Sequence, residues 1–189
     1  WTSVTLLLTT LILSKWEIFF SLIKNKKKLI ILFFSGLLIF SNWAVWIYAI
    51  TTNRIIDASF GYFVMPIISV FLGYFFLKEK VSFKAKLSIF IVIFSILYLL
   101  LADIKSIPWI GLLVAILWSV YNLVRKKINV DTDVGLLIES LFILPFILFA
   151  FYIITKNNYN DFHISNPTLM LILILAGPMT VIPLFLYVK

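Results

Sequence analysis

Residues 58–77 read ASFGYFVMPIISVFLGYFFL, twenty positions without one charged side chain. A helix needs about 20 mainly apolar residues to cross a bilayer, and hydrocarbon leaves its backbone amides no partners outside the segment. The stretch therefore reads as a membrane-spanning helix. Ser59, Pro66 and Gly73 recur at intervals of seven, with Tyr62 on the same side, one turn before the proline. Pro66 removes a backbone donor and frees a carbonyl, which inside a membrane needs a partner or a water-filled cavity. Two readings follow: a packing kink, or a helix that lines a central pathway.

Working outward, six further apolar stretches appear, and the spans read as 1–14, 29–50, 58–77, 84–102, 107–124, 134–154 and 168–188. Composition agrees. The chain is 63% hydrophobic and 13% charged, with mean hydropathy +1.12, against about 45–50% and about 25% for a soluble domain. So few charges cannot cover so much apolar surface, and the excess must face lipid. The fold class is an all-α, polytopic transmembrane bundle. Cysteine is absent, which excludes disulfides and thiolate metal sites. The first stretch is no signal peptide: it lacks a basic lead and a small-residue cleavage site, and six spans follow it. It begins at Trp1, and the last stretch ends at Lys189. Both ends look cut, so an interior piece of a longer chain is expected.

The net charge of +8 suggests nucleic acid until the positions are read. The basic residues cluster between apolar runs and form no continuous face, so nucleic acid is excluded as a partner. With alternating sides, one set of connections holds Lys15, Lys24, Lys26, Lys27, Lys28, Lys78, Lys80, Lys84, Lys86, Arg125, Lys126, Lys127 and Lys189. The other holds Arg54, Lys105 and Lys156. Thirteen against three places the first set in the cytoplasm. The turns 51–57 and 103–106 then make external hairpins, and 155–167 is a polar external loop carrying His163, a solvated side chain on this reading.

An enzyme needs paired carboxylates, a His–carboxylate cluster or an activated nucleophile. Seven of the eight acidic residues lie in loops or at span ends, Glu79 among them as a solvated partner for neighbouring lysines. The eighth, Glu139, sits about one turn inside its span. A carboxylate there is costly and points to function; it either pairs with Arg125, Lys126 or Lys127 or takes part in coupling. The second span carries a polar seam of Ser35, Asn42, Trp46, Ala49 and Asn53. Asn42, near mid-span, must meet a helix, water or a solute, because an unpaired amide in hydrocarbon costs several kcal/mol. The last span holds Gly177, Pro178 and Pro183, expected as helix breaks of the kind transporters use to expose backbone to cargo.

Together these residues resemble the EamA, or drug/metabolite transporter, superfamily, in particular its RarD-like branch. Asn42-Trp43 is similar to that branch's mid-span motif, and Ala58 to Phe63 with Pro66, Gly73 and Glu79 to its fourth-span signature. Tyr121, Arg125 to Lys127, Gly135 to Glu139, Pro145, Ala176-Gly177 and Pro183-Leu184 continue in the same order. Pro178 and Asn122 depart from the pattern. The resemblance implies ten spans in two five-helix repeats of inverted topology. This chain would then carry spans two to eight, with the first repeat over 1–104 and the second over 105–189. Inverted repeats place cargo at their interface near mid-membrane.

The resulting expectation is a secondary transporter of the bacterial inner membrane, exporting small metabolites or drug-like solutes by alternating access. The alternatives are a membrane-embedded accessory subunit and a channel. Pathway candidates are Asn42, Trp46, Ser59, Tyr62, Pro66 and Gly73, with Asn42 and Tyr62 converging on one polar route; Glu139 is the coupling candidate. The expected partners are a small solute and the lipid bilayer, with a homodimer left open. No cofactor, metal or enzymatic activity is expected.

Overall fold

Hydropathy divides the chain where helices form. The computed structural model describes residues 2–102, 108–157 and 167–187, and among these every regular element is helical: α1 (Thr2–Ile12), α2 (Trp16–Lys24), α3 (Lys26–Thr51), α4 (Ile55–Leu77), α5 (Phe83–Ala102), α6 (Trp109–Ile128), α7 (Thr132–Lys156) and α8 (Pro167–Tyr187). Seven of them coincide with the seven expected spans. The chain is an all-α polytopic membrane bundle. Helices α3, α4, α6 and α7 are each long and apolar enough to cross a membrane alone. At 26 residues, α3 extends about 39 Å, beyond the roughly 30 Å hydrocarbon core. The expected turn 103–106, most of the loop 155–167 with His163, and Lys189 lie outside the described residues.

Helix α2 is an addition to the expected topology. Ser14, at φ 52°, ends α1 in a left-handed turn: its amide bonds the Leu11 carbonyl (3.2 Å), and that of Lys15 bonds the Thr10 carbonyl (3.0 Å). This Schellman arrangement satisfies the last carbonyls of α1, and the chain leaves it into α2 at 114°. Asn53 (φ 56°) ends α3 in the same way, with the Arg54 amide on the Ala49 carbonyl at 2.7 Å. Asparagine tolerates the left-handed region better than most residues.

The expected breaks in the last span are not interruptions. Helix α8 runs through Gly177, Pro178 and Pro183 without losing helical conformation, because a proline removes only one bond of the ladder and the flanking turns carry the helix on. Pro66 in α4 and Pro145 in α7 are accommodated likewise.

The chain packs as two compact units, residues 1–36 with 130–189 and residues 37–129, so each unit draws on both expected repeats. In the first, α1 packs on α7 and α8 around Leu6, Leu137 and Val181, with Phe19 of α2 against them. The turn before α2 is tied to α7 by charge. Lys15 Nζ lies 3.0 Å from Asp131 and 2.5 Å from Asp133, and Asp131 caps α7 by accepting from the Val134 amide at 3.3 Å. Burial lowers the Lys15 pKa, but hydrogen bonds to Asp133 and Asp131 and their charges outweigh it and hold it above the ordinary lysine value. Gly36 lets α3 close on α7, since a β-carbon there would stand 3.3 Å from the Glu139 carbonyl oxygen.

In the second unit the dominant pairing is α4 on α6, with Ala49, Ala58 and Ile110 fully buried at one end. The two helices meet at Gly61 and Gly111. A β-carbon on Gly61 would sit 2.5 Å from the Gly111 carbonyl oxygen, and one on Gly111 2.3 Å from that of Asp57. Nothing larger than hydrogen fits, so backbone touches backbone.

Candidate functional site

Beyond the glycine contact, α4 and α6 border a cavity of about 230 Å³, whose lining includes Ser69, Gly73, Glu79, Ser119, Asn122 and Lys126. Its polar groups follow helical spacing. Ser119, Asn122 and Lys126 fall at i, i+3 and i+7 on α6, and Ser69 and Gly73 at i and i+4 on α4, so each set shares a face. The Ser69 hydroxyl donates to Ser119 Oγ at 3.1 Å, and Ser119 donates to the Met65 carbonyl at 3.2 Å.

Glu79 reaches the cavity by a turn of the backbone. Lys78 adopts φ 55° at the end of α4, which returns the Glu79 amide to the Gly73 carbonyl at 3.3 Å. Its carboxylate then lies over Gly73, where a β-carbon would come within 3.0 Å of Oε2, and pairs with Lys126 Nζ at 2.5 Å. Glu79 therefore bonds a lysine of α6, not only solvent and its own neighbours as expected from the sequence. The small residue at 73 makes room for this carboxylate.

The pathway candidates separate. Asn42 is buried and donates its amide to the Val114 carbonyl at 3.0 Å, joining α3 to α6. Tyr62 is 52% exposed, and its ring stacks on Trp46 at 5.5 Å. The structure thus does not bring Asn42 and Tyr62 to a common partner. Pro66 is exposed and Ser59 half-buried, whereas Gly73 is buried. A spacing of seven drifts only about 20° per step on a 3.6-residue helix, so the three keep to one broad side of α4, and it is the returning Glu79 carboxylate that covers Gly73. In the first unit Glu139 is 1% exposed and accepts a short hydrogen bond from Ser35 Oγ. Of its expected partners, Lys126 bonds Glu79. Among the described residues no group of three or more His, Cys, Asp or Glu is arranged to hold a metal.

Sequence reading missed Ser69, Ser119, Lys126 and Gly111. The i, i+3, i+7 run of polar residues on α6 was the available signal for two of them; nothing local marks Gly111.

Comparison with known proteins places this architecture. The EamA-like transporter family model matches residues 1–101, more than half of the chain. The chain belongs to the EamA-like transporter family. It is similar to "Protein RarD" of Escherichia coli (strain K12), 32% identical over 173 residues that cover 92% of this chain and 58% of that protein. It is also similar to "Uncharacterized transporter YojE" of Bacillus subtilis (strain 168), 29% identical over 192 residues, or 100% of this chain and 63% of that protein. "Chloramphenicol-sensitive protein RarD" of Pseudomonas aeruginosa is 26% identical over 110 residues, 58% of this chain and 36% of that protein. This EamA family chain therefore spans less than two thirds of the length of these relatives. No solved structure matches it. Bacterial relatives and several apolar spanning helices make it a multi-pass protein of the bacterial cytoplasmic membrane.

Proposed function

We propose that the protein containing this chain is a secondary transporter that exports a small metabolite or drug-like solute by alternating access. The observation that carries this reading is the α4–α6 cavity. Two hydroxyls, an amide and a carboxylate–ammonium pair line a space between two helices that are otherwise apolar. Ser119 is buried and Ser69 partly so, whereas Asn122, Glu79 and Lys126 are exposed, so these polar groups stay reachable where they border open volume. The exposed Tyr62 and Pro66 of α4, with half-buried Ser59 and Trp46 beside them, supply the rest of the route in this proposal. Asn42 has the other task of fixing α3 against α6. Glu139, held by Ser35, is proposed for proton coupling. The ten-span plan, with repeats over 1–104 and 105–189, rests on the family resemblance.

The test is efflux by the full-length protein in proteoliposomes across a metabolite panel, with and without a proton gradient. Chloramphenicol belongs on the panel because of one relative's name. The expected result is saturable, gradient-stimulated efflux of at least one solute. Asn122→Ala should raise its KM several-fold while expression and melting temperature hold. Flux that does not saturate would establish a channel, and no flux with any solute would favour an accessory subunit.

A further inference from the structure

Helix α2 has three sectors, and only one is answered by protein. Phe19 packs on the Leu6–Leu137–Val181 cluster and Leu22 is buried. Trp16, Phe20 and Ile23 fall within about 60° of one another on a 3.6-residue helix. Phe20 and Ile23 are 56% and 42% exposed, and Trp16 stacks against both phenylalanines at 5.6 and 6.1 Å. Glu17, Ser21 and Lys24 form the third sector, all exposed. An aromatic ridge beside a polar ridge, on a helix set 114° from the span before it, is the geometry of a helix lying in a membrane surface.

The charge beside it selects the surface. Lys24, Lys26 and Lys27 are exposed and Lys28 partly so, and the first turn of α3 contains no acidic residue. None of these four lysines takes part in an ion pair among the described residues. Lys15, by contrast, is already committed to Asp131 and Asp133. Four uncompensated ammonium groups within five residues, next in sequence to an apolar ridge, complement a layer that is anionic at its surface and oily below.

We propose that α2 is an interfacial anchor that binds anionic phospholipid of the cytoplasmic leaflet. Trp16, Phe20 and Ile23 enter the acyl boundary while the lysines at 24 and 26 to 28 hold headgroup phosphates. Each lysine near such a surface adds about fivefold to binding. The anchor fixes the depth of the turn at Lys15 and, through it, the start of α7. It is independent of the cargo and of the transport reading.

The test uses the full-length protein, stripped of any cysteines, in vesicles of phosphatidylcholine with and without phosphatidylglycerol. Spin labels at Ile23→Cys and Ser21→Cys should separate: the first relaxed by oxygen, the second by a water-soluble nickel chelate. Native mass spectrometry should find phosphatidylglycerol preferred over phosphatidylcholine. That preference should fall about tenfold or more when Lys24, Lys26, Lys27 and Lys28 all become Gln. The matched change of Lys78, Lys80, Lys84 and Lys86 to Gln should leave most of it. Equal nickel exposure of both labels, or the same loss from either set of substitutions, would overturn the proposal.

Discussion

Gly111 shows how much one hydrogen atom in place of a methyl can decide. A β-carbon there would meet the Asp57 carbonyl oxygen at 2.3 Å and the Gly61 nitrogen at 2.9 Å, both backbone atoms that cannot swing aside. Gly111→Ala must push α4 from α6 and should cost about 1–3 kcal/mol, the usual range for overpacking. At Gly73 the obstacle is the end of the Glu79 side chain, which can rotate away, so Gly73→Ala should melt close to wild type. Thermal unfolding of both variants in detergent checks the contrast; equal losses would contradict it. The difference is invisible in sequence. Both glycines sit in apolar spans, and only the partner fifty residues away distinguishes Gly111. Asn42 was more legible: an amide at mid-span announces a partner. Whether that partner is cargo or backbone depends on where α6 lies, which no local pattern states.

Among the elements, six helices were legible because about twenty apolar residues in a row leave one solution, and α1, only 11 residues long, was legible as an apolar run. Helix α2 was not, because nine residues are too few to span and Lys15 and Lys24 flank them. Its signal was periodicity: Trp16, Phe19, Phe20 and Ile23 fall at i, i+3, i+4 and i+7. The joint between α2 and α7 makes a second prediction. A lysine whose folded pKa lies above its ordinary 10.5 contributes stability that is fully present below that value and is lost as pH rises through the folded pKa. Lys15→Gln should therefore lower stability by about 1.5–3 kcal/mol, in line with hydrogen bonds to charged groups. The gap between wild type and variant should stay constant from about pH 7 to about pH 9 and close only above 10.5. Paired melting curves across that range measure it, and a gap that closes near neutrality would refute the assignment.

For the whole molecule, the expected topology rests on the placement of lysines and not on packing. The expectation that thirteen basic residues against three orient the chain is compatible with the order of the eight helices among the described residues, provided α2 lies in the surface and does not add a crossing. Cysteines placed at Lys26 and Lys127, both exposed, should react with an impermeant thiol reagent from the cytoplasmic side alone. One at Thr52, in the turn after α3, should react only from outside. Labelling of Thr52 and Lys26 from the same side would break the alternation. The candidate site was half legible at this scale. Glu79, Gly73 and Asn122 stood out in sequence, each for a separate reason. That they border one cavity follows from the pairing of α4 with α6 and the turn that returns Glu79 over Gly73, a property of two helices at once.

The bond from Asn42 to Val114 ends on a main-chain oxygen. Any residue at position 114 supplies the same acceptor, so the bond itself does not depend on which side chain stands there, although Val114 is buried and its side chain answers to packing. Among descendants of this lineage, position 42 answers to this bond, whereas position 114 changes only as its packing allows and without reference to Asn42. Inference of spatial neighbours from correlated substitutions will pass over this pair. The tie between α3 and α6 is thus inherited through one residue alone, and its other half is supplied by the peptide backbone that every variant shares.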